Sequence, residues 1–187
     1  GTPVRDIGWP HGFTYPVEPE VWREFCHEFA RRLKGRVRYY EIWNEPDIDA
    51  FFQGTTQEYI EKLRIARHAI RSADPGAIVG TGGFAFATED WLARVSRNPT
   101  LQADVLRLAQ DAFDIHIAHI HGDFPTFRRR VDEYLIPTRR ELGVTQPLFF
   151  NETGYSRLER EGEIEQAATL VKKLTFAWSR GAKAYFW

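Results

Sequence analysis

The chain has 187 residues, enough for one domain with a sizeable core, and its 25 basic and 26 acidic residues leave a formal charge of −1. That balance gives no bulk electrostatic case for nucleic acid or an anionic membrane, and no stretch approaches the roughly 18 uninterrupted apolar residues of a membrane span. Cys26 stands alone, which excludes an intrachain disulfide, and within "FCHEF" it reads as a helix core residue.

The first stretch, "GTPVRDIGWPHG", is loop-like and carries no initiator methionine. No targeting signal is legible there, so extracellular, periplasmic and cytoplasmic locations all stay open. "EPEVWREFCHEFARRLKG" sets Val21, Trp22, Phe25, Phe29 and Leu33 at helical spacing, with Pro19 near the start and Gly35 as a stop. "RVRYYEIWN" is strand-like and ends in Asn44, Glu45 and Pro46. "TTQEYIEKLRIARHAIRSADPG" opens with a capping box, Thr55 to Glu58, and carries a stripe of Tyr59, Leu63, Ala66 and Ile70.

The alternation continues to the last residue. "AIVGTGG" is a short buried strand, followed by helical material around Trp91 to Val95 and Leu101 to Ala109. "AFDIHIAHIHG" is the next strand, and the helix through "FRRRVDEYLIPTRRELG" is expected to kink at Pro137. "QPLFFNETG" is a strand, "EIEQAATLVKKLTFAWSRG" a helix, and "AKAYFW" a final strand. Strands thus start near residues 36, 77, 113, 147 and 182, with no linker or low-complexity run between them.

Repeated βα units with apolar strands argue for an α/β protein with a parallel sheet covered by helices. A doubly wound sheet usually carries a Gly-rich phosphate turn, but "GTGG", residues 80 to 83, lacks the G-x-G-x-x-G spacing and reads as a loop that needs small residues. A (β/α)8 TIM barrel accounts for more, because polar residues gather at strand C-termini, the face where barrel active sites lie: Asn44 and Glu45, His119 and His121, Asn151 and Glu152. A barrel has eight strands and five are found, so the expectation is a single, partial barrel domain over residues 1–187 that lacks the N-terminal strands.

Glu45 and Glu152 each follow an Asn and each end an apolar strand. Either one alone could merely cap a helix or pair with an arginine. Two on one barrel face form the pair that glycoside hydrolysis needs, with a carboxyl separation of about 5 to 5.5 Å for a retaining mechanism and about 6.5 to 9.5 Å for an inverting one. His116, His119 and His121, with Asp123 nearby, pose the question of a metal, but two carboxylates suffice for this chemistry, and neither metal nor cofactor is implied. His116, and Glu41 if it meets an arginine, read as satisfied barrel-interior residues; His11, His27 and His68 read as loop and helix-surface residues.

"EIWNEPD" resembles the acid/base motif at the end of strand 4 in clan A retaining glycoside hydrolases. The continuation "NEPDIDAFFQGTTQEYIEKL" is similar to glycoside hydrolase family 39, the β-xylosidase and α-iduronidase family. "FDIHIAHIHG" resembles that family's strand 6 and "LFFNETGYS" its strand 7, so the chain would cover roughly strands 4 to 8. The resemblance implies that Glu45 is the general acid/base and Glu152 the nucleophile. It implies further that Asn44 hydrogen-bonds the sugar 2-hydroxyl, that His119 borders the sugar, and that Trp187 floors the sugar site. His121 stands where the family has a Tyr, and Phe52 where it often has Trp. The implied function is retaining hydrolysis of O-glycosidic bonds in an oligo- or polysaccharide, with carbohydrate as the partner and no nucleic acid or membrane; the oligomeric state is not legible. The competing expectation is a non-catalytic carbohydrate-binding or truncated, inactive barrel.

Overall fold

The computed structural model describes residues 17–85, 96, 98–156 and 160–187. The opening loop with His11, and the helix expected around Trp91 to Val95, lie outside the described residues. The elements run α1 (Pro19–Leu33), β1 (Tyr39–Glu41), α2 (Thr56–Ala73), β2 (Ile78–Gly80), α3 (Leu101–Leu108), β3 (His116–His119), α4 (Phe124–Arg130), α5 (Ile136–Glu141), β4 (Leu148–Glu152), α6 (Arg160–Ser179) and β5 (Ala184–Tyr185). Every strand begins within a few residues of its expected start.

All pairings are parallel and follow chain order. β1 pairs with β2, and β3 with β4 and β4 with β5. Bridges from Gly80 to Ile115 and from Phe84 to Ala118 join the two groups. Among the described residues strand order therefore never reverses, and there is no switch point there of the kind a doubly wound fold places at its ligand crevice.

Local chemistry explains the helix ends. Thr55 accepts from the Glu58 N–H while the Glu58 side chain takes the Thr55 N–H, so the capping box forms as its spacing predicts. Gly35, at φ 76°, ends α1 in the left-handed conformation that a side chain disfavours. Between α4 and α5 the helix widens into a π-turn over Val131–Leu135, immediately before Pro137. The proline ring has no N–H and crowds the carbonyl four residues back, which is the physical reason for the expected kink.

The stripe on α2 is buried: Tyr59, Leu63 and Ala66 are closed to solvent and Ile70 nearly so. The stripe on α1 behaves differently. Cys26 and Ala30 are buried, but Val21, Phe25 and Phe29 are 60 %, 55 % and 47 % exposed. Helical period alone marks an apolar face without showing what lies against it, and here α2 takes the neighbouring face of α1. Cys26 is core as expected, and burial pushes its thiol up to about 12.

"GTGG" needs small residues because other atoms come close. A Cβ on Gly80 would meet Ile115 Cγ1 at 2.9 Å, and one on Gly82 would meet the carbonyl oxygens of Ile42 and Trp43 at 2.9 and 3.0 Å. Close packing between strand ends, rather than phosphate binding, accounts for the motif.

Candidate active site

The site is built at the C-terminal ends of β1, β3 and β4. β1 delivers its carboxylate through an unusual backbone: Trp43 and Glu45 both lie in the left-handed region, at φ 77° and 40°. Positive φ is rare for any side chain and an outlier for one as bulky as Trp. Several contacts hold the turn. Trp43 Nε1 donates to the Phe51 carbonyl at 2.8 Å, its ring packs edge-on against Trp22 and Phe52, and the Glu45 N–H donates to the Gly83 carbonyl at 3.1 Å. Phe52, standing where a Trp was expected from the resemblance, is buried and also packs on Tyr59.

The sequence-derived pair comes together on one imidazole. His119 Nδ1 is 3.0 Å from Glu45 Oε1 and 3.2 Å from Glu152 Oε2, and the donor atoms of the three residues all lie within 4.8 Å of one another. The Glu45 side chain is 12 % exposed and the Glu152 side chain 50 %, so one carboxylate is set deep and the other faces the opening. His121 Nε2 approaches the second oxygen of Glu152 at 3.2 Å. Asn44, on the rim, is exposed and bridges to Gly83. Trp187 is 43 % exposed. A cleft of about 570 Å³ opens here, lined by Glu45, His121, Arg130 and Glu152 among others.

His119 itself is only 2 % exposed and lies beneath the two carboxylates rather than on the open surface. A third carboxylate stands behind it, with Glu41 Oε1 at 3.6 Å from Nε2. That distance is too long for a hydrogen bond, and Nε2 is buried without one, so the contact is ionic. Burial pushes the imidazolium down, but Glu41, Glu45 and Glu152 outweigh it and hold His119 up at about 9. A protonated imidazole has no lone pair. The Glu45–His119–Glu152 trio, a candidate set of metal donors by geometry, would have to lose that proton before ligating an ion.

Glu41 was expected to be a satisfied interior residue if it met an arginine; it accepts from the Gly83 N–H at 2.6 Å and from the Asn151 side-chain amide. Sequence reasoning missed its part in the site. It also missed Asp47, which is 1 % exposed, accepts from the Ala85 N–H at 3.0 Å and leaves Oδ2 without a partner. Burial pushes the Asp47 carboxyl up to about 7, against the Ala85 N–H and with the Glu45 charge adding to the rise.

His116 was expected in a barrel interior and lies on the helix side. Alternation turns it away from Ile117 and His119 toward Gln102 on α3, at 3.1 Å, and Arg139 on α5, at 2.8 Å. Burial, with Arg139 adding to it, holds the imidazole far below its ordinary value and therefore neutral. Arg139 can only donate, so Nδ1 is the accepting nitrogen.

The chain is similar in sequence and in fold to known proteins. A beta-xylosidase of Caldicellulosiruptor saccharolyticus is 37 % identical over 87 residues, covering 42 % of this chain and 17 % of that protein. A glucosidase structure from Croceicoccus marinus superposes with TM-score 0.73 at 16 % identity over 92 % of this chain and 39 % of that one. A monomeric beta-xylosidase from Caulobacter crescentus CB15 gives 0.64 at 22 % identity over 93 % and 40 %. The chain therefore spans less than half the length of these relatives, and the structural likenesses establish an α/β glycosidase fold. The family model described as glycosyl hydrolases family 39 matches residues 6–122, more than half of the chain. That span takes in Glu41, Glu45, Gly83, His119 and His121 but stops before Glu152, whose place beside Glu45 rests on geometry. On that match, the chain belongs to glycosyl hydrolases family 39.

Proposed function

We propose that this chain forms the catalytic part of a glycoside hydrolase that cleaves O-glycosidic bonds of an oligo- or polysaccharide with retention of configuration. One observation carries the reading: oxygens of Glu45 and Glu152 converge on His119 Nδ1, all within 4.8 Å. That closeness suits direct attack by a carboxylate and leaves too little room for the intervening water of an inverting enzyme.

Glu152, on the open side, attacks the anomeric carbon as the bond to the leaving oxygen breaks, and Glu45 gives that oxygen its proton. In the second step the Glu45 carboxylate takes a proton from water, the water oxygen bonds to the anomeric carbon, and Glu152 departs. Asn44 on the rim serves the 2-hydroxyl, His121 steadies Glu152, and Trp187 offers an apolar face to the sugar. His119 acts from below as counter-ion to Glu152, and to Glu45 once that residue has given up its proton.

Residues 1–187 would form a single domain, part of a (β/α)8 TIM barrel and covering roughly strands 4 to 8, without the N-terminal strands. The unreversed parallel strand order supports this, as does the cluster of polar residues at strand C-termini. The relatives matched by sequence are beta-xylosidases, which makes a β-xyloside the first substrate to try.

The test is to incubate the full-length protein with activated 2-deoxy-2-fluoro-glycosides, beginning with the xyloside, and to map the adduct by mass spectrometry. Mass added at Glu152 supports the reading. No adduct across a broad glycoside panel would overturn it in favour of a non-catalytic, carbohydrate-binding barrel.

A further inference from the structure

Lys173, on α6, is closed to solvent and forms no part of the mechanism above. Its side chain crosses from the helix layer to the strand ends. There Nζ donates to the Thr153 carbonyl at 2.7 Å and to the Ile120 carbonyl at 3.3 Å. These residues follow Glu152 and His119 directly in the chain. The same ammonium stands 5.6 Å from the centre of the Trp187 ring and 5.2 Å from that of Phe127, within reach of their negative faces. Further bonds join this point to β5: Thr153 Oγ1 donates to the Phe186 carbonyl at 2.5 Å, and the Phe186 N–H donates to the Phe150 carbonyl at 2.7 Å.

We propose that Lys173 is a positioning residue for Glu152 and Trp187, its charged ammonium locking the ends of β3, β4 and β5 together from beneath. The proposal rests on the assignment of Glu152 as nucleophile. An amine would keep the two hydrogen bonds in weaker form, because charge-assisted bonds are about twice as strong as neutral ones, and it would lose its attraction to the two rings. The lock therefore depends on charge, and burial makes that charge vulnerable. Burial lowers Lys173 to about 8, with Asp123 at the start of α4 opposing the shift and Arg130 at the end of α4 adding to it. The consequence is an alkaline limit on the nucleophile that belongs to neither glutamate.

The experiment uses the full-length protein with 13C-labelled lysine, following the Lys173 Cε resonance against pH with exposed Lys34, Lys172 and Lys183 as references. In parallel, the rate of Glu152 labelling by a dinitrophenyl 2-deoxy-2-fluoro-glycoside is measured, because that leaving group needs no proton from Glu45. The labelling rate is expected to fall on the order of tenfold or more with the same midpoint as Lys173. Lys173→Arg, which keeps its charge, should label without that fall, and Lys173→Met should label slowly at every pH. A rate that stays flat through the Lys173 midpoint, or Lys173→Met labelled at the unmodified rate, overturns the proposal. A third readout needs no catalysis: the Glu152 Cδ and Trp187 Nε1–H resonances should titrate with Lys173. If Glu152 never labels, the functional reading fails, and these two resonances alone decide whether Lys173 sets their positions.

Discussion

Gly83 makes room for His119. A Cβ at position 83 would fall on the imidazole ring itself, overlapping Nε2, Cδ2 and Cε1. The φ at this residue is not in the left-handed region, so space alone demands glycine. Gly83→Ala should push the ring out from between the carboxylates. The expected result is a loss of about 1–3 kcal/mol of stability, the usual scale for overpacking, together with loss of Glu152 labelling. Urea unfolding and the labelling assay measure the two effects; a variant with unchanged stability would show that the ring moves aside at no cost.

His119 should make stability fall with rising pH. Its folded value of about 9 lies above the ordinary 6.5. Its contribution is therefore complete below about pH 6.5 and disappears as pH rises through 9, an amount on the order of 3 kcal/mol. Between pH 7 and 8 Asp47 finishes its titration and Lys173 begins its own, with opposite signs that largely offset, so His119 dominates the change. Unfolding free energies measured across that interval should decline in the unmodified protein and stay level in His119→Gln. The variant should also be less stable at pH 7, because Glu41, Glu45 and Glu152 then face one another without a cation.

Asp47 should act in the same direction over a more acidic interval. A carboxyl held at about 7 in the fold, against 3.8 ordinarily, keeps its proton in the native state while the unfolded chain has lost it. Stability therefore falls as pH rises from about 4 to 7. Asp47→Asn keeps an oxygen to accept from the Ala85 N–H and cannot ionise. It should be more stable than the parent at pH 7, by a few kcal/mol, and equal to it near pH 4. Thermal unfolding at the two pH values checks this.

Glu45→Gln should separate substrates by leaving group. Glycosides whose leaving group needs a proton should lose about 10²- to 10⁴-fold in rate. A dinitrophenyl glycoside should still glycosylate Glu152 at close to the unmodified rate and then stall, since no base remains to activate water. A burst of dinitrophenolate followed by slow turnover is the expected trace. Equal losses on both substrates would mean that Glu45 is not the proton donor.

The strands were legible because each is an apolar run bounded by turn residues, and the α2 stripe because its whole face is covered. The pair Glu45 and Glu152 was legible for a related reason, since both sit after an Asn at the end of such a run. What the sequence did not reveal is depth. Residues 119 and 121 alternate onto one face, yet His119 is 2 % exposed and the His121 side chain 50 %. No period distinguishes the floor of a site from its rim. Lys173 was invisible beside Lys172 in "LVKKL", because the two differ only in which side of the helix meets the strand ends. On α1, Phe25 and Phe29 formed a convincing apolar face that this structure leaves open.

The left-handed backbone at Trp43 and Glu45 has a consequence for anyone improving this protein. Each such residue stores about 1–3 kcal/mol. Trp43→Gly would remove the backbone penalty at one position. It also removes the indole that bonds to Phe51 and packs on Trp22 and Phe52. Truncating a packed tryptophan costs about 3–5 kcal/mol, more than the backbone penalty it would relieve, so selection for heat survival and the aim of Glu45 both keep Trp43 where it is.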